Sequence, residues 1–172
     1  GGIATGQTRG LHITGRLAHE GLICFGAREG KQPTFALLDE WAPDPRTPAR
    51  EEALAELILR YFRSHGPATL RDFQWWTGLT VAETQEGLAA VRSRLIAETV
   101  GDQTYWWLDG PAGAPPPACH LLPPFDEFLV AYKDRGPALA HHAAFWDGRD
   151  HLASAVIVSD GRAIGTWKRT IG

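Results

Sequence analysis

The chain has 172 residues, 17 Lys and Arg against 20 Asp and Glu, and a net charge of −3. That length suffices for one medium domain or two to three small ones. No run of about 18 apolar residues occurs and no basic stretch leads into an apolar one at the start, so neither a membrane-spanning helix nor a secretory leader is expected in these residues. The two cysteines, Cys24 and Cys119, lie far apart in no metal-type spacing and read as small core residues of a reduced, cytoplasmic protein. The chain opens Gly1-Gly2-Ile3, contains no methionine and stops at Thr170-Ile171-Gly172, so a trimmed protein is expected.

In chain order, Leu11, Ile13, Leu17 and Ala18 predict a short helix that Gly21 stops. Two strands follow, Leu22–Phe25 and Thr34–Leu38, and the loop between them carries Arg28 and Lys31 near its tip. One helix and one hairpin bury too little to stand alone. Pro43, Pro45 and Pro48 then mark a linker.

From Pro48 to Leu108 the punctuation is denser. Pro48 suits a first helical position, with Thr47 as its cap. The helix Arg50–His65 repeats Leu54, Leu57, Ile58, Tyr61 and Phe62 at core spacing and pairs Glu56 with Arg60 on the outer face. Thr69 stands three residues before Asp72, and Thr80 three before Glu83. Both are capping boxes, in which hydroxyl and carboxylate satisfy the free N–H groups of a first turn. They open helices Leu70–Trp76 and Val81–Leu95, separated by Gly78, which permits the positive φ of a sharp turn. Leu70, Phe73 and Trp76 predict a core face, and Trp75 packing on a neighbouring segment, with base stacking as its alternative. A hairpin turning at Gly101-Asp102 closes the series. Helix, helix, turn, helix and hairpin spell a winged helix-turn-helix over 45–109, and residues 1–44 match the back half of a second one.

Side chains alternate along a strand, so Tyr105 and Trp107 face one way while Trp106 and Leu108 face the other. Both faces are apolar, which predicts a covered wing. Charge points the same way: residues 50–119 hold six basic and nine acidic groups, the reverse of a typical nucleic-acid binder. Glu83 and Glu86 near the start of the third helix would face phosphates, which argues against base reading.

Residues 110–119 are Pro-rich and predict a stiff linker. Residues 120–172 predict a small antiparallel β unit of partial barrel type, ending in a hairpin of Ala153–Ser159 and Arg162–Thr170 about the turn Asp160-Gly161. Asp126 and Glu127, placed in a strand, would point opposite ways, a poor geometry for paired acid–base work, and pairing with Lys133 or Arg135 is expected. His141, His142, Asp147, Asp150 and His151 lack metal-ligand spacing. Ser154 and Ser159 lack a nucleophile elbow. No phosphate loop or dinucleotide fingerprint occurs, so no cofactor, no metal and no catalytic residue is expected within these residues.

Several stretches together carry a family resemblance: Gly66–Leu79 with its Asp72-Phe73-Gln74-Trp75-Trp76, His120–Arg135 with Pro123-Pro124-Phe125-Asp126-Glu127, Asp160–Arg169, and the leader Glu20–Gly26 with Gly30–Leu38. They resemble the bacterial winged-helix DNA-binding proteins related to the AlkZ and YcaQ DNA glycosylases. The resemblance implies tandem winged-helix units and a small β-barrel around a duplex-binding channel. It also implies metal-free hydrolysis of the N-glycosidic bond of alkylated or crosslinked bases, by a Gln-x-Gln or Gln-x-Asp motif in an N-terminal winged helix. Only the later part of that pattern is matched. Gln74-Trp75-Trp76 lacks the second partner and lies in the wrong module, so no catalytic residue carries over.

The expectation is an α+β chain of tandem winged-helix modules and a β unit, the DNA-positioning part of a glycosylase-like repair protein whose catalytic segment lies elsewhere. Duplex DNA is the expected partner, held at its phosphates by Arg28, Lys31, Arg92, Arg94, Lys168 and Arg169. A protein-interaction scaffold and a transcription regulator are the alternatives.

Overall fold

The computed structural model describes residues 9–110, 118–139 and 152–170. The chain falls into two compact units, one up to Pro48 and one from Ala49.

The first unit opens with α1 (Arg9–His19). Its end follows from Gly21, whose φ is 72°. With that residue left-handed, Leu22 N–H reaches Leu17 O and Gly21 N–H reaches Ala18 O, each at 3.0 Å, the paired bonds of a Schellman stop. β1 (Ile23–Phe25) and β2 (Phe35–Leu37) pair antiparallel, Cys24 opposite Ala36, and a short helix α2 (Leu38–Trp41) follows. Glu29 and Gln32 exchange backbone hydrogen bonds across Gly30-Lys31, with Gly30 at φ 62°, so Lys31 sits at the turn and Arg28 just before it. No described residue of this unit is fully buried.

The second unit begins with α3 (Arg50–His65), then β3 (Ala68–Thr69), α4 (Leu70–Thr77) and α5 (Val81–Val91). A 3-10 turn, Arg92–Arg94, leads into the hairpin β4 (Leu95–Val100) and β5 (Gln103–Leu108). The third helix therefore stops four residues short of the expected Leu95. α3 starts one residue after its cap Ala49, which offers no side-chain hydrogen bond, so Pro48 and Thr47 stand outside the helix instead of at its first position and cap. Both capping boxes are present, and Gly78 takes φ 72° between the two helices. β3, β5 and β4 form one sheet in that order, Ala68 opposite Trp106 and Trp106 opposite Ala97. Ile58, Tyr61, Phe62, Phe73, Leu88, Val91 and Trp106 fill the core beneath it. β5 is at least half covered along its length, whereas β4 is exposed from Ile96 onward, so only one strand of the hairpin is the covered element the sequence suggests.

Further on come β6 (Cys119–Leu122), α6 (Glu127–Val130), α7 (Gly136–Leu139), β7 (Val156–Ser159) and β8 (Arg162–Thr166). The strands pair antiparallel in the order β6-β7-β8, and Asp160 (φ 50°) and Gly161 (φ 75°) make the turn. Among the described residues this sheet is open and not a closed barrel. Leu129, Val156, Val158 and Ala163 form its small core.

Candidate nucleic-acid interface

Asp72 is the joint of the second unit. One carboxylate oxygen accepts from the Thr69 amide (2.9 Å) and hydroxyl (2.7 Å), completing the cap of α4. The other accepts from the amides of Lys133 (2.9 Å) and Asp134 (3.3 Å), sixty residues later. The carboxylate is buried and its acceptor capacity is used, which is how a buried charge is tolerated. Around it, Tyr61 donates to Ala131 O (2.9 Å), Tyr132 to His65 O (2.9 Å) and Trp75 Nε1 to Val130 O (3.0 Å). Burial pushes the Tyr61 hydroxyl well above its ordinary range and raises that of Tyr132, and the Asp72 charge adds to both.

Trp76 departs from its expected core position. It stays 36% exposed because its Nε1 donates to Glu127 Oε1 at 2.8 Å. Asp126 and Glu127 likewise depart from the expected pairing with Lys133 or Arg135. Asp126 caps α6 by accepting from the Phe128 amide (3.0 Å), and Glu127 accepts the hydrogen bond of the Trp76 indole N–H. The strand geometry assumed for them does not arise, because Asp126 follows a turn at Pro124-Phe125 and caps the helix that Glu127 begins.

The six cations expected at DNA lie in three places. Arg28 and Lys31 are exposed on the β1–β2 turn. Arg92 and Arg94 share the turn after α5, Arg92 with its guanidinium 4.8 Å above the Trp106 ring, a cation–π contact that fixes it in place. Arg94 borders a shallow depression with Glu52, Glu56, Arg60 and Arg63, where acidic groups dilute its field. Lys168 and Arg169 are exposed just beyond Trp167, which is anchored by its indole N–H to Leu122 O (2.9 Å). None of the six forms an ion pair among the described residues.

The outward face of α5, namely Val81, Ala82, Gln85, Glu86, Ala89 and Ala90, carries no cation. Glu83 is drawn back into its cap. The Thr80 hydroxyl and amide, then Arg50, hold its carboxyl down at about 2.

A group of cations that the sequence does not bring together lines a cleft of about 540 Å³ between the start of α4 and the segment 128–138. Arg71, Lys133 and Arg135 lie on its wall, with Asp72, Asp134, Tyr105 and Tyr132. Lys133 Nζ lies 5.4 Å and the Arg135 guanidinium carbon 5.3 Å from the Trp75 ring. Trp75 thus packs on a neighbouring segment, as its position outside the helix core face implies. Nothing local in the sequence announces this cluster, since the indole and its two cations are about sixty residues apart.

No set of three or more His, Cys, Asp or Glu side chains able to hold a metal occurs among the described residues, and His141, His142, Asp147, Asp150 and His151 lie outside them. No described helix is long and apolar enough to cross a membrane.

The family model described as DNA glycosylase AlkZ-like matches residues 4–170. The chain belongs to the AlkZ-like DNA glycosylase family. A curated relative, the interstrand DNA cross-link repair glycosylase of Streptomyces sahachiroi, is 27% identical over 164 residues, covering 88% of this chain and 44% of the relative. The solved structure of Streptomyces sahachiroi DNA glycosylase AlkZ aligns with a TM-score of 0.69 at 26% identity, over 94% of this chain and 50% of that one. This AlkZ-like chain therefore spans about half the length of the proteins it matches.

Proposed function

We propose that this chain is the DNA-holding part of a glycosylase-like repair protein. It positions duplex DNA through the phosphate backbone, while N-glycosidic hydrolysis falls to a catalytic segment outside these residues. The observation that carries this is the family match along nearly the whole chain, on a portion that spans about half the length of its glycosylase relatives. The order α3, β3, α4, α5, β4, β5, with β3 paired to β5, supports a winged helix-turn-helix over 45–109, and α1 with its hairpin supports a partial winged helix over 1–44. Residues 110–119 then serve as a linker and 120–172 as a small open β unit.

Arg28, Lys31, Arg92, Arg94, Lys168 and Arg169 are the proposed phosphate contacts. They fix orientation and carry no sequence information. Binding is accordingly weak, indifferent to sequence and steeply dependent on salt. Of the six, Arg28, Lys31, Lys168 and Arg169 are the best placed, and neutralising about four phosphates gives a log–log salt slope near −3.6 on B-form DNA. Fluorescence anisotropy of a labelled duplex across a salt series tests this. Arg28→Ala with Lys31→Ala flattens the slope by nearly two and weakens all sequences alike. A changed preference among sequences would show instead that the β1–β2 turn reads bases.

A second reading, a protein-interaction scaffold, is favoured by the cation-free outer face of α5. Absence of duplex binding even at low salt selects it.

A further inference from the structure

The cleft is lined by three cations, Arg71, Lys133 and Arg135, beside two carboxylates, Asp72 and Asp134, whose hydrogen bonds go to other groups. Asp72 is saturated by Thr69 and by the amides of Lys133 and Asp134, and Asp134 Oδ1 accepts from the Gly136 amide at 2.8 Å. No ion pair reaches Arg71, Lys133 or Arg135 among the described residues. Two of the three are held in place. Both Lys133 and Arg135 lean on the Trp75 ring, and Arg135 Nε donates to Leu129 O at 2.8 Å. Arg135 Nη2 is buried and has no acceptor. A charged donor left in that condition is costly, and a supplied acceptor recovers the cost. Arg135 as a residue is partly buried and lies on the cleft wall, so an acceptor in the cleft is within reach of that guanidinium.

The acceptor that fits is a phosphate group. Its negatively charged oxygens match the fork of a guanidinium fixed at Nε, while Arg71 and Lys133 serve as point charges at the sides. We propose that this cleft seats one backbone phosphodiester of the bound nucleic acid, with Arg135 as the orienting donor and Arg71 and Lys133 as flanking cations. The proposal rests on the DNA-holding function above and adds a contact point distinct from the turn and strand-end cations named there. The joint at Asp72 makes the seat rigid: it fixes α4, which carries Arg71 and Trp75, against the backbone that carries Lys133 and Arg135.

Because three cations share one phosphate, their removal is not additive in the salt slope. Arg71→Ala, Lys133→Ala and the double variant each flatten the slope by at most about 0.9 in total, the value for one phosphate. The double variant binds about tenfold more weakly at fixed salt, as loss of charge-assisted hydrogen bonds implies. Arg135→Lys keeps the charge and loses the fork, and it weakens binding without altering the fold, which circular dichroism and the thermal midpoint verify. Side-chain NMR of Arg135 Nε–H on the whole chain supplies the second measurement. Duplex DNA shifts the signal, and inorganic phosphate at tens of millimolar competes with that shift.

If duplex affinity and slope match the parent in all these variants, the cleft is not a phosphate seat and the DNA-holding function stands without it. Slopes that flatten by about 0.9 for each cation removed place the cations on separate phosphates and overturn the single seat. A signal that moves with inorganic phosphate and not with DNA assigns the cleft to a free phosphate compound and overturns the backbone assignment. No duplex binding by the parent at low salt removes the DNA-holding function and this seat together.

Discussion

The two units solve the problem of holding shape differently. In the first, every element is set by its own neighbourhood: a Schellman stop at Gly21, a turn at Gly30-Lys31, and a stacked pair, Phe25 and Phe35, 5.4 Å apart on a surface where Phe25 stays 70% exposed. In the second, distant segments interlock around Tyr61, Phe62 and Phe73, which are almost wholly inaccessible. The contrast teaches that a cation on the first unit rests on local turn geometry, whereas one on the second rests on a packed core. Sensitivity to mutation should divide along the same line.

The largest effect is expected at Phe73→Ala, which empties the centre of the second unit's core at about 3–5 kcal/mol. Phe25→Ala in the first unit, on an exposed strand, should stay within about 0.5 kcal/mol. Urea unfolding of both variants checks the division, and equal losses would break it. Next comes Asp72→Ala, which strips the cap of α4 and leaves the Lys133 and Asp134 amides without an acceptor. About 2–4 kcal/mol is expected, read as a lower thermal midpoint. Gly87→Ala is smaller. Its new Cβ would lie 2.8 Å from Ile58 Cδ1 and 3.2 Å from Leu54 Cβ, so overpacking of about 1–3 kcal/mol is partly offset by the roughly 1 kcal/mol gain in helix propensity. A stabilised variant would show that α3 and α5 give way there.

The smallest effect concerns pH. Glu83 has its carboxyl lowered from 4.5 to about 2, chiefly by Thr80 and then by Arg50. A folded pKa below the unfolded one contributes stability above pH 4.5 that is lost as pH falls toward 2. The thermal midpoints of the parent and Glu83→Gln should therefore differ at neutral pH and converge as pH falls through that window. A difference independent of pH would assign the effect to the shape of the cap and not to its charge.

The sequence is legible where a rule spans three or four residues. Thr69 with Asp72, Thr80 with Glu83, Glu56 with Arg60, and the turns at Gly78 and Asp160-Gly161 all follow from local chemistry. It is silent where one side chain serves two masters. The box at Thr69 explains one oxygen of Asp72, and only tertiary folding brings Lys133 and Asp134 to the other. Trp76 reads as core from its helical phase, yet Glu127 draws its indole N–H toward the surface. Arg135 reads as a partner for a nearby carboxylate until Trp75 and Leu129 claim it. Of the cations proposed to meet DNA, the pairs at 28 and 31 and at 168 and 169 are legible because turns and strand ends expose their side chains. The three in the cleft depend on a fold that joins α4 to residues sixty positions away.

The seam at Asp72 has a further consequence for the covalent chain. Tyr61, Asp72, Trp75 and Trp76 bond across to Glu127, Val130, Ala131, Lys133 and Asp134, and Tyr132 bonds back to His65. Cutting the backbone between Gly110 and Ala118 severs none of these bonds. It only turns an intramolecular association into a bimolecular one, with the loss of effective concentration that this entails. Two fragments made separately and mixed should reassociate, and such a split pair would report the integrity of the seam directly.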